Sequence, residues 1–150
     1  MKKDQFFEEF VAFATTFSQL KHDLTMKVKS ADVTTLQYLI LEQLAVSEPL
    51  TPSEISDCQQ MSLPNVSREL KKLREKNLIE KHEDLSDKRK HVVCLSQNGK
   101  VMMNEAFAKM KVELFNAFHP TTLEQFEDIS HALRLLNKTI FKKQTDMKKA

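Results

Sequence analysis

The chain reads as a mainly helical protein carrying one small β-hairpin, on three observations. Apolar residues recur at three- and four-residue intervals along most of its length, the period of a helix with one buried face. Residues 78–95 abandon that period for two short β-type runs around a polar tip. The 150 residues include one Gly and four Pro, too few turn formers for an all-β fold.

Phe6, Phe10, Phe13, Phe17, Leu20 and Leu24 form one stripe on a long first helix, widened by Phe7, Val11 and Ala14. A second helix starts after Thr34 as N-cap, runs to Ser47, and carries Leu36, Leu39, Ile40 and Leu44 inward. Pro49 and Leu50 break it. Thr51-Pro52-Ser53-Glu54 is a capping box with Pro at the first helical position, opening a short helix that turns Ile55 and Cys58 inward. A tight connection at Met61 leads to Ser62, the cap of a fourth helix that tolerates Pro64 in its first turn. Leu63, Val66, Leu70 and Leu73 are its expected buried face, and Asn77 closes it in a left-handed conformation.

Leu78–Glu83 and Lys90–Leu95 are the two strands of the hairpin, with Asp84–Arg89 as its charged turn. Ser96 caps a long helix with Met103, Phe107, Met110, Leu114 and Phe118 on one side, and Pro120 ends the connection after it. Thr121-Thr122-Leu123-Glu124 offers a second capping box for a last helix carrying Phe126, Ile129, Leu133, Leu136 and Ile140; the tail after Gln144 is charged and expected to fray. All ten Phe lie in 6–17 or 107–141, so the ends bring aromatic area to a shared core or interface while the middle packs on Leu, Val and Ile.

Charged residues are 29% and hydrophobic ones 41% of the chain, a globular balance. Lys and Arg exceed Asp and Glu by only two (23 against 21), so a nucleic-acid partner has to be read from the placement of charge. Glu8 and Glu9 interrupt the apolar run behind Lys2 and Lys3, no stretch reaches about 18 apolar residues, and the two cysteines have no CxxC spacing; a soluble intracellular protein with no membrane partner is expected.

Two short helices joined by a tight turn, the second polar on its outer face, fit a helix-turn-helix. At about 100° per residue, Arg68 lies opposite the Leu63, Val66, Leu70 and Leu73 face. Asn65 and Lys72 flank it, Pro64 and Lys71 lie nearby, and Ser67 sits toward the edge. Arg offers a fork to guanine, Asn pairs with adenine, Lys neutralises phosphate and a Ser hydroxyl can meet one. The same face would also serve as plain solvated surface, with Lys71 and Glu75 paired one turn apart. The hairpin decides between the two readings. Lys88, Arg89 and Lys90 place three cations on a projecting loop that folding does not require, beside the reading helix and within reach of a minor groove.

Residues 63–81 resemble the recognition helix and following strand of the MarR family of winged helix-turn-helix transcriptional regulators. Asp87-Lys88-Arg89 resembles the family's Asp-x-Arg wing signature, Leu95-Ser96-Gln97-Asn98-Gly99 its Leu-Thr-x-x-Gly, and Val33-Thr34-Thr35-Leu36-Gln37 its Leu-Thr-x-x-Gln. Together these cover residues 33–103 in order. The chain departs from the pattern at Asn77, where Gly is usual, and at Pro64, where a small hydroxyl residue is usual.

The resemblance implies one MarR-type domain over 1–150, with a winged-helix DNA-binding region at about 33–100 and helical dimerisation regions at about 3–29 and 101–144. It implies a bacterial, cytoplasmic regulator, a repressor that binds a pseudo-palindromic operator in double-stranded DNA as a homodimer. Arg89 would enter the minor groove, Asp87 would hold Arg89 or the wing backbone, and Asn65, Ser67 and Arg68 would sit in the major groove. Phe6, Phe7, Phe10 and Val11 with Phe126, Ile129, Leu133 and Leu136 would form the dimer interface. Their apolar surface independently exceeds what a small reader can cover. A small aromatic effector is implied between dimer region and reader, against Phe13, Phe17, Tyr38 and Met110. An interaction module that has lost DNA binding, or a nonspecific architectural DNA binder, would present the same fold.

No catalytic constellation stands out, and one Gly rules out a Walker loop or GxGxxG, so neither enzyme activity nor a cofactor is expected. His82, His91 and Cys94 are set aside as a metal site, since His82 and His91 could oppose each other across the hairpin but Cys94 faces away from His91. Cys58 and Cys94 are expected to be buried structural thiols.

Overall fold

A computed structural model describes residues 2–119 and 121–141, with Phe141 described by its backbone alone. Pro120 and the tail after Gln144 lie outside the described residues. The chain divides into two compact units at Leu114 and Phe115.

The helices are α1 (Lys2–Val28), α2 (Thr35–Ser47), α3 (Pro52–Gln59), α4 (Leu63–Glu75), α5 (Gln97–Ala117) and α6 (Leu123–Leu136), which runs into a π-turn at Asn137–Phe141. Strands β1 (Ile79–Glu83) and β2 (His91–Leu95) lie between α4 and α5 and pair antiparallel. This is the predicted element order, and the predicted mainly helical winged helix-turn-helix flanked by long terminal helices.

Side-chain caps set most of the boundaries. Thr34 and Thr51 each close a full capping box, with Gln37 and Glu54 as the reciprocal partners, and Ser62 accepts from Asn65 N–H. Ser96 Oγ accepts from Gly99 N–H at 3.0 Å and starts α5. At α6 the box falls one residue later than expected: Thr122 is the N-cap and Gln125, not Glu124, is its partner. Asn77 has φ 58°, the left-handed conformation expected of it, and Gln60 adopts the same region (φ 52°) in the turn after α3.

The core of the first unit is built around α2. The expected inward face was Leu36, Leu39, Ile40 and Leu44; in fact Gln37, Tyr38, Ile40, Leu41 and Leu44 are all buried, and Leu36 and Leu39 are half-buried. Helices and hairpin pack around α2, and of its residues Val46 and Ser47 alone are exposed. Only the last turns of α1 join this core, through Leu24, Thr25 and Val28, while α5 contributes Met103 and Ala106. Leu50 exchanges two backbone hydrogen bonds with Val93, at 3.1 and 2.7 Å, adding a one-residue third strand to the hairpin.

Gly99 is demanded by packing. A Cβ there would lie 2.1 Å from the Leu78 carbonyl oxygen. Ser96 N–H donates to that same carbonyl at 3.0 Å, and Ser96 Oγ donates to the Asn77 carbonyl at 2.6 Å. The first turn of α5 is thereby seated against the junction of α4 and β1.

Three expected burials are corrected. Cys58 is exposed and Cys94 is half-buried. In a two-turn helix the inward partner of Ile55 is one turn on at Gln59, whose amide bonds the Gln43 side chain at 3.0 Å. Leu63 is also largely exposed, because the first residue of α4 projects beyond the core that Val66, Leu70 and Leu73 fill.

Candidate nucleic-acid interface

The turn between α3 and α4 is held by Ser56, whose backbone carbonyl accepts from Met61 N–H and whose hydroxyl donates to the Met61 carbonyl. With Val66, Leu70 and Leu73 buried, Pro64, Asn65, Ser67, Arg68, Lys71 and Lys72 are all exposed on α4. The Arg68 guanidinium donates to the Asn65 side-chain oxygen, so the two groups expected to read bases lie together. Lys72 pairs with Glu69 at 3.3 Å.

The wing tip is shaped by two aspartates. Asp87 Oδ1 accepts from the backbone N–H of Arg89 at 3.0 Å, and its carbonyl accepts from Lys90 N–H. Asp84 accepts from the N–H and the hydroxyl of Ser86, and these bonds hold its carboxyl below the usual carboxylate range. Asp84 was not singled out in sequence, although Asp-x-Ser is the signature of such a turn. Lys88, Arg89 and Lys90 are exposed.

Helix and wing converge on a concave seat of about 460 Å³ lined by Thr51, Pro52, Ser53, Glu54, Leu63, Ser67, Lys90 and His91. Ser67 and Lys90 therefore face one depression with the N-terminus of α3. Arg74 and Lys81 line an adjoining hollow with Ser67 and Lys71. These two cations extend the basic surface beyond the expected set; Arg74 lies three residues after Lys71 on the same helix, and that spacing was a readable signal.

In the hairpin register His82 opposes Val92, and His91 opposes Glu83. The two histidines thus lie on opposite faces instead of across from each other, and His82 instead contacts Glu80 at 3.1 Å. Among the described residues no group of three His, Cys, Asp or Glu side chains could hold a metal.

The terminal helices leave aromatic surface open. Phe6 and Phe7 are 56% and 66% exposed, Val11 is exposed, and Phe10 is half-buried and stacked on Phe6. Within the second unit Phe126 meets Phe115 and Phe118 edge-on at 5.7 and 5.8 Å, while Ile129 and Leu133 are exposed and Leu136 is half-buried.

An open cavity of about 500 Å³ lies between the end of α1, the start of α2 and the start of α5. Tyr38 lines it, with Lys29, Asn98 and Lys109. Of the other expected effector contacts, Phe13 and Phe17 are exposed on α1 and Met110 packs at the core edge; none of the three lines the cavity. The Tyr38 hydroxyl donates to Glu42 at 3.0 Å, and burial together with that carboxylate pushes the phenol pKa up. Glu42 also binds Lys21, tying α1 to α2.

Residues 31–90 match the MarR family model. This segment is similar to that family and folds as a winged helix. Similar solved structures extend the fold over most of the chain. A point variant of Staphylococcus aureus MepR bound to an oligodeoxyribonucleotide is 23% identical, with 85% of this chain and 97% of that one covered at a TM-score of 0.54. Staphylococcus aureus MarR in complex with salicylate and kanamycin is 22% identical, covering 95% and 94% at 0.62. A candidate transcriptional regulator from Pseudomonas aeruginosa is 21% identical, covering 90% and 94% at 0.70. At these identities the likeness shows the fold. Among proteins of curated function, none matches the chain. No described helix is long and apolar enough to cross a membrane.

Proposed function

We propose that the protein is a sequence-specific transcriptional repressor that binds a pseudo-palindromic DNA operator as a homodimer. One observation carries this reading: the solvent face of α4 presents Asn65, Arg68, Lys71 and Lys72 beside a wing bearing Lys88, Arg89 and Lys90, and both border one concave seat. Arg68 and Asn65 read base edges in the major groove, and Lys71 and Lys72 neutralise phosphate. Ser67 bonds a phosphate at the edge, where Pro64 offers only apolar contact. Arg89 enters the minor groove with its backbone fixed by Asp87, and Lys88 and Lys90 bracket it on phosphates.

One such module buries only roughly 600–1,000 Å² on DNA, so a half-site alone binds weakly. Two modules joined through the open aromatic faces of α1 and α6 bind together. A small aromatic effector in the 500 Å³ cavity releases DNA if it favours the released arrangement of the two modules. The salicylate held by the Staphylococcus aureus relative supports that class of ligand, and Lys29 and Lys109 line the cavity for a carboxylate, in a wall they share with Asp32 and Glu105.

Selection from a randomised duplex pool at about physiological salt tests the reading. An inverted repeat with half-site centres about ten base pairs apart is the expected product. Binding without a motif would replace this reading with nonspecific architectural binding, and no binding would leave a protein-interaction module.

A further inference from the structure

Gln37 is 2% exposed, yet no functional role has so far been attached to it. Every part of its amide in contact with the fold is used. Its oxygen accepts from Thr34 N–H at 3.2 Å, closing the α2 capping box, and from Lys76 Nζ at 3.0 Å. Its amide nitrogen donates to Glu69 Oε2 at 2.9 Å. Lys76 also donates to the Asp32 carbonyl at 2.6 Å, and Asp32 lines the 500 Å³ cavity.

Glu69 and Lys72 on α4 and Lys76 at its C-cap are spaced three and four apart, so they form one stripe along a flank between the buried and exposed faces. The hydrophobic face of α4 fixes how deeply the helix sits. Packing of that face sets which side of α4 turns inward, and hydrogen bonds at set positions along a flank fix the remaining rotation. The Gln37 bonds lock that rotation from the fixed N-terminus of α2. They also set Glu69, whose other oxygen holds Lys72 at 3.3 Å.

We infer that Gln37 is a positioning residue for DNA reading: through Glu69 and Lys76 it fixes the rotation of α4, and with it the aim of Asn65 and Arg68. This rests on the DNA-binding reading above. Misaiming by even a small rotation weakens bidentate base contacts, which demand in-plane geometry, far more than phosphate contacts. The effect therefore falls on discrimination between duplexes.

The test exchanges donor and acceptor. Gln37→Glu keeps the capping-box acceptor and the Lys76 contact, because Glu serves at that position as well as Gln. It replaces only the donor to Glu69, bringing two carboxylates together. Adding Glu69→Gln restores a donor–acceptor pair with its direction reversed and returns the net charge to that of the wild type.

Affinities are measured for the duplex that wild-type protein selects from the random pool and for a scrambled duplex, with amide exchange of α4 followed in free protein. Gln37→Glu is expected to lower the selected-to-scrambled affinity ratio by roughly two- to 150-fold, the range for partners in one hydrogen-bond network. It should also loosen protection along α4, and the double variant should recover both. A ratio unchanged in Gln37→Glu, or not recovered in the double variant, overturns the inference. A wild-type protein that prefers no duplex overturns the DNA-binding reading itself, a failure visible before any variant is made.

Discussion

Substituting Phe7 by Ser tests whether α1 is an interface. The side chain is 66% exposed in a single chain. A Phe side chain brings about 150–250 Å² to a contact, so roughly 100 Å² of Phe7 stands ready to be covered. At about 25 cal/mol per Å² that area is worth about 2.5 kcal/mol when fully buried. A two-fold dimer contains the residue twice, which doubles the figure to about 5 kcal/mol, and incomplete burial would bring it down to about 2 kcal/mol. The dimer dissociation constant should therefore rise by about thirtyfold to several-thousandfold. Ser and Phe have similar helix propensities, so the helix itself should persist.

Sedimentation across nanomolar to micromolar concentrations reads the constant directly, and circular dichroism checks that helix content is kept. Operator affinity should fall in parallel, because two linked half-sites become one. A wild-type protein that stays monomeric throughout this range would refute the reasoning. So would a Phe7→Ser dimer as tight as the wild type.

Four further outcomes are expected. Gly99→Ala forces a Cβ to 2.1 Å from the Leu78 carbonyl oxygen, a backbone atom that cannot swing away; thermal or urea melting should show a loss of about 1–3 kcal/mol or more. Arg89→Ala should weaken selected and scrambled duplexes alike and flatten the salt dependence by about one phosphate contact, whereas Asn65→Ala or Arg68→Ala should relax discrimination by roughly 1–3 kcal/mol, all read by titration at several salt concentrations. The Glu69 carboxyl is held below its usual range chiefly by the Gln37 hydrogen bond, with Lys72 and Lys76 adding to the effect. Because a depressed folded-state pKa stabilises above the unfolded-state value, the stability difference between wild type and Glu69→Gln should hold near neutrality and shrink as pH falls through the folded-state value, as followed by melts at stepwise lower pH. Cys58 should be alkylated well before Cys94 in native protein, since burial and the carboxylates of Glu48 and Glu80 push the Cys94 thiol pKa up, and peptide mapping of the first-labelled site decides.

Caps and periodicity made most of the fold legible. Thr34, Thr51, Ser62 and Ser96 announce helix starts by side-chain chemistry that acts within four residues, so the sequence carries the whole signal. What was misread depends on contacts made far along the chain. In α3 the three- and four-residue spacings compete, and only packing against Gln43 and Leu39 of α2 selects Gln59 over Cys58. Gln37 looked like an ordinary capping residue, because its burial requires partners 32 and 39 residues away. The hairpin register escaped by one residue, since a polar turn of uncertain length leaves the pairing of His82 open. The family resemblance set Phe13 and Phe17 against an effector, but the cavity is bounded by the far end of α1.

The residues proposed to read DNA contribute little to holding the fold, and most residues that hold the reader lie behind its DNA-facing surface. Val66, Leu70 and Leu73 seat α4 from below, the Gln37 bonds grip one flank, and Ser96 with Gly99 presses α5 onto its C-terminal exit. Asn65, Arg68 and the wing cations are left on the solvent side of that frame. Such a division matters because binding must overcome the ordering of whatever is mobile, so a helix already fixed by folding delivers more of its contact energy as affinity and specificity. It also follows that substitutions in the frame should alter discrimination without touching a base. With a net charge of only +2, the chain has little long-range attraction for DNA to mask such a loss, so an error in the aim of α4 should appear directly as lost selectivity.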